Sequence, residues 1–131
     1  MPCNILRLTW HDFQIGVDRL YRSLKDIPNI GIYGAPRGGL PLAVTLSHYL
    51  ETPLLLEPKD GCIWVDDIIE TGKTVDSLTC VPAAKCTWVT KKPRGDVLSA
   101  YVVFDNPWIV FPWEDPIQAQ QDMAAYYASR E

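Results

Sequence analysis

Short apolar runs mark the predicted strands of this chain. The clearest is residues 62–65 (Cys-Ile-Trp-Val), which is apolar throughout instead of alternating with polar residues. Such a run is typical of a strand that is covered on both faces within a parallel sheet. We predict four further strands from similar apolar runs, at residues 30–33, 54–56, 86–90 and 100–104.

Longer segments between these runs are predicted to be helical. The first helix begins after Thr9, which can form a capping box with Asp12, and it ends before Pro28. A second apolar helix runs from Leu40 to about Leu50, and a third starts at Pro116. The first and third helices carry apolar residues at helical spacing: Phe13, Val17, Leu20, Tyr21 and Leu24 in the first, and Ile117, Ala124 and Tyr127 in the third. Strands that take turns with helices predict an α/β fold.

Polar residues cluster directly after the apolar run 62–65. Two adjacent carboxylates, Asp66 and Asp67, come first, and a small polar turn at residues 71–74 follows. A parallel strand delivers the residues after it to the carboxyl edge of the sheet, where open α/β folds bind ligands. The turn offers backbone amides and hydroxyls, and a helix opening at Val75 would attract a phosphate with its N-terminus.

The ligand of this stretch must suit carboxylates on one side and phosphate-binding amides on the other. A sugar phosphate with Mg²⁺ satisfies both, because its hydroxyls or the metal can meet the acids. A nucleoside-triphosphate loop is a competing interpretation, since Gly72-Lys73-Thr74 resembles the end of that motif, but the motif needs a glycine where this chain has Asp67. The remaining alternative is a strand that ends in a solvated acidic turn.

A second candidate anion site follows the predicted strand 30–33. The loop at residues 34–39 contains Gly38 and Gly39, which allow the backbone to approach an anion closely, and it leads directly into a helix. Arg37 can add a charge-assisted hydrogen bond. A glycine-rich turn alone is weak evidence of function, but it gains weight beside the acidic stretch.

Composition narrows the classes of protein to consider. The chain has 131 residues, 47% of them hydrophobic, so we expect one domain over 1–131 with a real core. A formal charge of −4 without a basic block argues against nucleic acid as a partner, and no apolar run approaches a membrane span. The first residues do not resemble a secretory signal, so we expect a cytoplasmic protein. No C-x-x-C pair occurs, and we expect reduced cysteines without zinc at Cys3, Cys62, Cys80 and Cys86.

Residues 63–74 resemble the signature of the type I phosphoribosyltransferases, the part of those enzymes that holds phosphoribosyl pyrophosphate (PRPP). Arg37-Gly38-Gly39-Leu40 is similar to the corresponding loop of the bacterial xanthine-guanine members of the family. In those members a Lys-Pro pair and a Trp-Ile segment contact the purine, and Lys92, Trp108 and Ile109 match them. The resemblance covers most of the chain, from the first helix to the turn before the last one.

The chemistry of the purine-site residues is sensible without the family. The Lys92 ammonium can donate to a 6-oxo group but not to a 6-amino group, and the indole of Trp108 can stack on a base for about 1 to 3 kcal/mol. Two alternatives stay open. Trp108 and Trp113 could simply close the end of the sheet, and Lys92 could belong to a solvated turn with Lys91 and Arg94.

The resemblance implies an α/β type I phosphoribosyltransferase fold. That fold has a mostly parallel central sheet flanked by helices, with a small C-terminal hood, here at about 105–115. The implied reaction transfers 5-phosphoribosyl from PRPP to a 6-oxopurine (xanthine, guanine or hypoxanthine) with Mg²⁺ and releases pyrophosphate, as in purine salvage. The resemblance also implies a homo-oligomer, either a dimer or a tetramer.

The same resemblance implies roles for the polar residues. We expect the ribose hydroxyls and Mg²⁺ at Asp66 and Asp67, and the 5-phosphate at the loop formed by Thr71, Gly72, Lys73 and Thr74. Pyrophosphate is expected at Arg37 and Gly38, and Arg37 also counts among the catalytic residues. Glu70 stands where family members usually have aspartate, and it is the candidate base for the N7 proton of the purine.

The largest departure from the family lies between the predicted strands 54–56 and 62–65. Family members usually carry a long flexible lid here that closes over PRPP, whereas this chain has a tight turn of five residues, 57–61, with Lys59 as its cation. Such a turn is too short for a lid, so we expect reduced turnover. A PRPP- or nucleotide-binding regulatory protein on the same fold therefore stays an alternative, as does a phosphoribosyltransferase with a different acceptor, such as a pyrimidine.

Overall fold

Seven strands and four helices make up the part of the chain that the computed structural model describes, residues 4–129. The strands are β1 (Ile5–Arg7), β2 (Ile32–Gly34), β3 (Leu54–Leu55), β4 (Ile63–Ile69), β5 (Ala84–Thr90), β6 (Leu98–Val102) and β7 (Trp108–Val110). The helices are α1 (Trp10–Leu24), α2 (Leu40–Leu50), α3 (Lys73–Asp76) and α4 (Pro116–Ala128). None of these helices is both long enough and apolar enough to cross a membrane.

The central feature is a parallel sheet of five strands in the order β3-β2-β4-β5-β6. The predicted α/β fold with a mostly parallel sheet flanked by helices is therefore confirmed. A separate pair of strands, β1 and β7, runs in parallel with Ile5 opposite Trp108. The hood thus contains an N-terminal strand that the sequence pattern did not predict, because β1 is short and mostly exposed and so forms no buried apolar run.

Burial on both faces fixes β4 at the middle of the sheet. Ile63 and Val65 pack into the larger core cluster, which includes residues of α1, α2 and β5. Cys62, just before the strand, and Trp64 pack into a smaller cluster on the other face. Fully burying one such side chain contributes about 1.5 to 3 kcal/mol. The apolar run was therefore a sound sign of a strand covered on both faces.

The structure corrects two boundaries near the acidic stretch. The strand was expected to end at Val65, but β4 continues to Ile69, because its backbone keeps pairing with β5 as far as the Ile69 and Thr90 pair. The helix expected to open at Val75 is instead the single turn α3, which begins at Lys73. Other strand boundaries differ from the prediction by at most two residues, and the bounds of α2 agree with it.

The short connection between β3 and β4 contains the predicted tight turn. The Cys62 amide donates to the carbonyl of Lys59 at 3.1 Å, and Gly61 adopts a φ of +83°, which favours glycine. Leu56 is 90% exposed at the start of the connection. The turn closes near the amino end of β4, whereas Asp66 and Asp67 lie in the middle of that strand.

The cysteines within residues 4–129 are free thiols: Cys62, Cys80 and Cys86. Burial raises the pKa of Cys86 to about 12. It also raises the pKa of Cys62. Buried thiols of this kind are chemically inert, which agrees with a structural role. Cys3 lies outside the described residues.

The predicted capping box of α1 is present. The Asp12 amide donates to the Thr9 hydroxyl at 3.1 Å, and the Thr9 amide donates to the Asp12 carboxylate at 2.8 Å. The helix then passes over the fully buried indole of Trp88, and it does so at Gly16. A Cβ at Gly16 would overlap that indole.

We predict that Gly16→Ala destabilises the protein by about 1 to 3 kcal/mol, the usual penalty for overpacking a core. Helix propensity alone predicts the opposite sign, since alanine is favoured over glycine by about 1 kcal/mol. Urea unfolding measures the difference. Ser23→Ala on the exposed face of the same helix is the matched control and should stay within about 0.5 kcal/mol. A stabilised Gly16→Ala protein would contradict the packing described above.

Candidate functional site

The carboxyl edge of the parallel sheet collects the polar residues that the sequence singled out. Loops 35–39, 70–72, 91–97 and 103–107 follow β2, β4, β5 and β6 at this edge. Three clefts open among these loops and the hood. The cleft lined by residues 66–75 shares Asp67 with the cleft at Arg37, and it shares Glu70 and Thr71 with the cleft at Trp108. The cleft lined by residues 66–75 therefore borders each of the other two.

Asp66 and Asp67 are half-buried in the middle of β4 without a counter-charge. The Asp67 amide donates to the Asp66 carboxylate at 2.8 Å, and within residues 4–129 no lysine, arginine or histidine forms an ion pair with either acid. Burial raises the pKa of Asp66, and the neighbouring Asp67 raises it further. Burial also raises the pKa of Asp67. Carboxylates held in this way are typical of functional sites.

The glycine-rich loop touches the acidic pair directly. A Cβ at Gly38 would overlap the carboxylate of Asp67, and a Cβ at Gly39 would lie 2.6 Å from the carbonyl oxygen of Val65. Arg37 is exposed at a cleft of about 580 Å³, with Gly38 and Asp67 on one side. The peptide bond between Pro36 and Arg37 is cis. On its other side, this cleft is lined by the hood and α4: Phe111, Trp113, Glu114, Asp115, Gln118, Ala119 and Asp122.

The phosphate loop predicted at residues 71–74 forms a tight turn into α3. Gly72 has a φ of +88°, which favours glycine, and it is the N-cap of the helix. The Lys73 amide donates weakly to the Thr71 hydroxyl at 3.3 Å. Residues 66–75 line a cleft of about 300 Å³. The loop is therefore beside the acidic pair, as predicted, although α3 contributes less helix dipole than a longer helix would.

A cleft of about 400 Å³ brings together most of the residues predicted for the purine. Its lining consists of Glu70, Thr71, Lys91, Lys92, Val103, Phe104, Asp105, Asn106, Trp108, Tyr126 and Tyr127. The Lys91 ammonium lies 3.4 Å from the Glu70 carboxylate and donates to the Asn106 side chain at 2.9 Å. The Lys92 ammonium has no hydrogen bond or ion pair within the described residues. It is thus available to a ligand.

Trp108 and Trp113, the two tryptophans considered for the end of the sheet, have different surroundings in the structure. Trp108 is half-buried and lines the purine cleft. Trp113 stacks on Phe111 with ring centroids 5.1 Å apart and also contacts Trp88, so it closes an aromatic cluster of the core. The side chain of Ile109 is 8% exposed and packs in the core, away from the cleft lining.

Helix α4 contributes residues that sequence reasoning missed. The ring of Tyr126 lies 5.4 Å from Trp108, and the ring of Tyr127 lies 6.1 Å from it. Tyr127 was expected on an apolar face with Ile117 and Ala124, but Ile117 is 69% exposed, and the buried residue of the helix is Ala119. No local pattern could have placed these tyrosines, because the docking of α4 against β7 is a tertiary contact.

Arg94 was weighed as part of a solvated turn, and it is instead ion-paired on two sides. Its guanidinium lies 2.8 Å from Asp76 and 2.8 Å from Asp96. Asp96 also accepts from Lys85 at 3.0 Å. Hydrogen bonds from Arg94 and then from Lys85 hold the pKa of Asp96 well below its usual range.

The donor set suits a divalent metal only in part. Among residues 4–129 no group of three or more histidine, cysteine, aspartate or glutamate side chains is arranged to hold a metal ion. Mg²⁺ commonly binds through one or two carboxylates and completes its shell with water and substrate oxygens. Asp66 and Asp67 fit that pattern, because they are uncompensated oxygen donors at the mouth of the phosphate loop.

Comparison with known proteins identifies the fold. No protein-family model matches the chain, but solved structures do. A purine phosphoribosyltransferase from Pyrococcus horikoshii is 29% identical over 86% of this chain and 96% of that one, with a TM-score of 0.66. The xanthine-guanine-hypoxanthine phosphoribosyltransferase of Helicobacter pylori is 15% identical over 91% of this chain and 98% of that one, with a TM-score of 0.64. A Neisseria gonorrhoeae protein with bound ppGpp is 14% identical over 98% of this chain and 99% of that one, with a TM-score of 0.71.

These similarities define the class of protein. The parallel sheet flanked by helices is the phosphoribosyltransferase fold. The resemblance to type I phosphoribosyltransferases is thus confirmed, and a purine phosphoribosyltransferase is among the similar structures.

We predict that Asp66→Asn stabilises the protein at neutral and alkaline pH. The fold raises the pKa of Asp66 above its unfolded value, so the free energy of unfolding falls as pH rises through the raised pKa. Asparagine keeps the acceptor for the Asp67 amide and removes the charge. The Tm of the variant should therefore exceed that of the unchanged protein by a few degrees at high pH, and the gap should close near pH 4.

Thermal unfolding between acid and alkaline pH, with a chelator present, measures this gap. Asp26→Asn removes an exposed carboxylate from the turn after α1 and is the matched control. If Asp66→Asn were less stable at every pH, the carboxylate of Asp66 would be a stabilising group and the description of the acidic pair would be wrong.

Proposed function

We propose that this chain transfers the 5-phosphoribosyl group of PRPP to a 6-oxopurine and releases pyrophosphate. The observation that carries the proposal is that the cleft at residues 66–75 borders two further clefts, so that one cleft is available for each part of the reaction. The likeness to purine phosphoribosyltransferases supports the same choice. We expect the enzyme to act in purine salvage, in the cytoplasm and as a homo-oligomer.

The cleft at residues 66–75 suits the ribose 5-phosphate. The amides and hydroxyls of 71–74, including those of Thr71 and Thr74, would bind the phosphate, and Asp66 and Asp67 would bind the ribose hydroxyls. The acids would also hold Mg²⁺ together with ligand oxygens, and the metal would disperse negative charge on pyrophosphate as it leaves. Arg37 and Gly38 line the cleft on the other side of Asp67, where pyrophosphate would lie.

The bond from C1 of the ribose to pyrophosphate breaks with both electrons on the leaving group, and the purine nitrogen forms the new bond to C1. Charge develops on the ribose ring as this happens, and the neighbouring carboxylates can stabilise it. The purine loses a proton in the reaction, and Glu70 would accept it. The position of Glu70 in the lining of both clefts supports this role.

The purine cleft supports a 6-oxopurine acceptor. The unpaired ammonium of Lys92 can donate to an exocyclic oxygen, whereas a 6-amino group would oppose it with donors of its own. The indole of Trp108 offers a stacking surface. Ile109 anchors the strand that carries Trp108 by packing in the core, and its own purine contact stays a proposal. A pyrimidine acceptor would make less use of the hydrogen bond from Lys92 and of the stacking surface of Trp108.

The second candidate is a regulatory protein that binds a guanine nucleotide. The Neisseria protein with bound ppGpp matches nearly the full length of both chains, and this favours the candidate. A guanine nucleotide presents the same 6-oxo group to Lys92 and a phosphate to the loop at 71–74. The short connection between β3 and β4 also favours it, because a site open to water protects a reactive ribosyl group poorly.

A single-turnover assay separates the two candidates. With PRPP, Mg²⁺ and guanine, xanthine or hypoxanthine, we predict slow transfer, near-normal nucleotide binding, and an appreciable share of PRPP lost to hydrolysis, because a lid mainly accelerates the chemical step. The assay measures the nucleotide formed against the ribose 5-phosphate released. Asp67→Asn should abolish both products, which controls for a contaminating enzyme.

The possible results of this assay are distinct. Fast and tightly coupled transfer by a proven monomer would refute the expected effect of the short connection. Binding of GMP or ppGpp without transfer to any base would support the regulatory candidate.

Specificity for the base provides a separate prediction. Lys92→Met should reduce the preference for guanine over adenine by about tenfold or more, the effect of losing one charge-assisted hydrogen bond. The affinity for PRPP should hardly change, since Lys92 lies in the purine cleft. Lys59→Met, in the turn between β3 and β4 and outside the lining of this cleft, is the control. If the unchanged protein already prefers adenine, the assignment of the purine cleft is wrong.

A further inference from the structure

Arg94 joins two parts of the site that are distant in sequence. It lies in the turn after β5, and Asp76, its partner at 2.8 Å, lies at the end of α3. Its Nε and Nη2 atoms also donate to the two oxygens of Asp96 at 2.8 and 2.9 Å. This second, bidentate contact fixes the plane of the guanidinium, because both oxygens of one carboxylate meet one edge of the fork.

The guanidinium also lies against the backbone of the phosphate loop. A Cβ built at Gly72 would come within 2.7 Å of the Arg94 Nη1 atom. Gly72 is the N-cap of α3 and belongs to the loop at residues 71–74. The ion pair with Asp76 and the close approach to Gly72 therefore hold both ends of α3 against the turn after β5.

The phosphate loop needs such support. Helix α3 is four residues long, and a single helical turn does not stabilise itself, because nucleation costs more than its few hydrogen bonds return. On one side it is held by Val75, which is 4% exposed and packs in the smaller core cluster. On the opposite, polar side the helix is held by the ion pair of Asp76 with Arg94.

We propose that Arg94 is a positioning residue that holds the phosphate loop in the conformation required to bind a 5-phosphate. This inference rests on the proposed function of the loop as a phosphate site. Arg94 acts through Asp76 and the backbone of Gly72, and its side chain is already engaged by two carboxylates. Its loss should therefore weaken the contribution of the phosphate to binding and leave that of the base unchanged.

The expected size of the effect is moderate. The Arg94 side chain is 26% exposed and that of Asp76 is 63% exposed, so water and salt screen the pair. Because the ion pairs of Arg94 with Asp76 and with Asp96 are both partly exposed, we expect GMP to bind about 3- to 10-fold more weakly to the Arg94→Met variant. Guanosine, which lacks the phosphate, should bind the variant and the unchanged protein equally well.

The experiment is calorimetry with GMP and with guanosine, at low salt and with Mg²⁺, on the whole protein. Arg94→Met removes both contacts, Arg94→Lys keeps the charge, and Asp76→Asn removes the link to α3 alone. We expect Arg94→Lys to restore part of the lost GMP affinity. Because the two groups act as one pair, Arg94→Met combined with Asp76→Asn should weaken GMP binding less than the product of the two single effects.

A matched control comes from the far end of the same network. Lys85→Met removes the ion pair of Lys85 with Asp96 and leaves the pair of Arg94 with Asp76 in place, so GMP affinity should stay unchanged. Thermal unfolding of each variant reports the folded fraction. If Arg94→Met unfolds, Asp76→Asn still tests the same link from the other side.

Three results would decide against the proposal in different ways. Equal weakening of GMP and guanosine by Arg94→Met and Asp76→Asn would overturn it, since the network would then support the fold in general. Unchanged GMP affinity in both variants would overturn it as well. If the unchanged protein binds neither compound, or binds both equally, the phosphate loop itself is misassigned and the proposed function fails first.

Discussion

The structure depends on the pairing of β4 with β2 on one side and β5 on the other. Apolar residues on both faces of β4 fix its register, because a slip by one residue would turn every side chain toward the wrong core. The same ladder continues through Asp66 to Ile69. The acidic pair therefore rests on a strand that is paired on both sides and packed on both faces, and the loops that follow start from this base.

This arrangement places groups where they are unfavourable for stability. Two adjacent carboxylates are half-buried without a cation, and Gly38 packs against one of them so closely that no side chain fits there. A strand designed for stability alone would continue with apolar residues at Asp66 and Asp67. Such residues lower the stability of the protein, and here they cluster at one edge of a well-packed sheet. A cluster of this kind is typical of a binding site.

Local patterns predicted the parts of the fold that depend on local interactions. The capping box of α1, the bounds of α2 and the apolar run of β4 were all visible in the sequence, as were the glycine-rich loop and the tight turn at residues 71–74. The parts that were missed depend on distant partners. Strand β1 exists because it pairs with β7, and β4 extends through two acids because β5 continues beside it. Arg94 and the tyrosines of α4 reach the site only through tertiary contacts.

Helix α4 forms part of the wall of two of the three clefts. Helix α4 lines both the purine cleft, through Tyr126 and Tyr127, and the cleft at Arg37, through Gln118 and Asp122. The cleft at residues 66–75, by contrast, has no residue of α4 in its lining, and Pro58 of the β3–β4 connection lines only a neighbouring cleft with Lys73 and Thr74. The ribose of a ligand would thus lack the cover that α4 gives to the other two clefts. Because hydrolysis needs water at that carbon, the same geometry that can retain a nucleotide would make a poor shield for transfer.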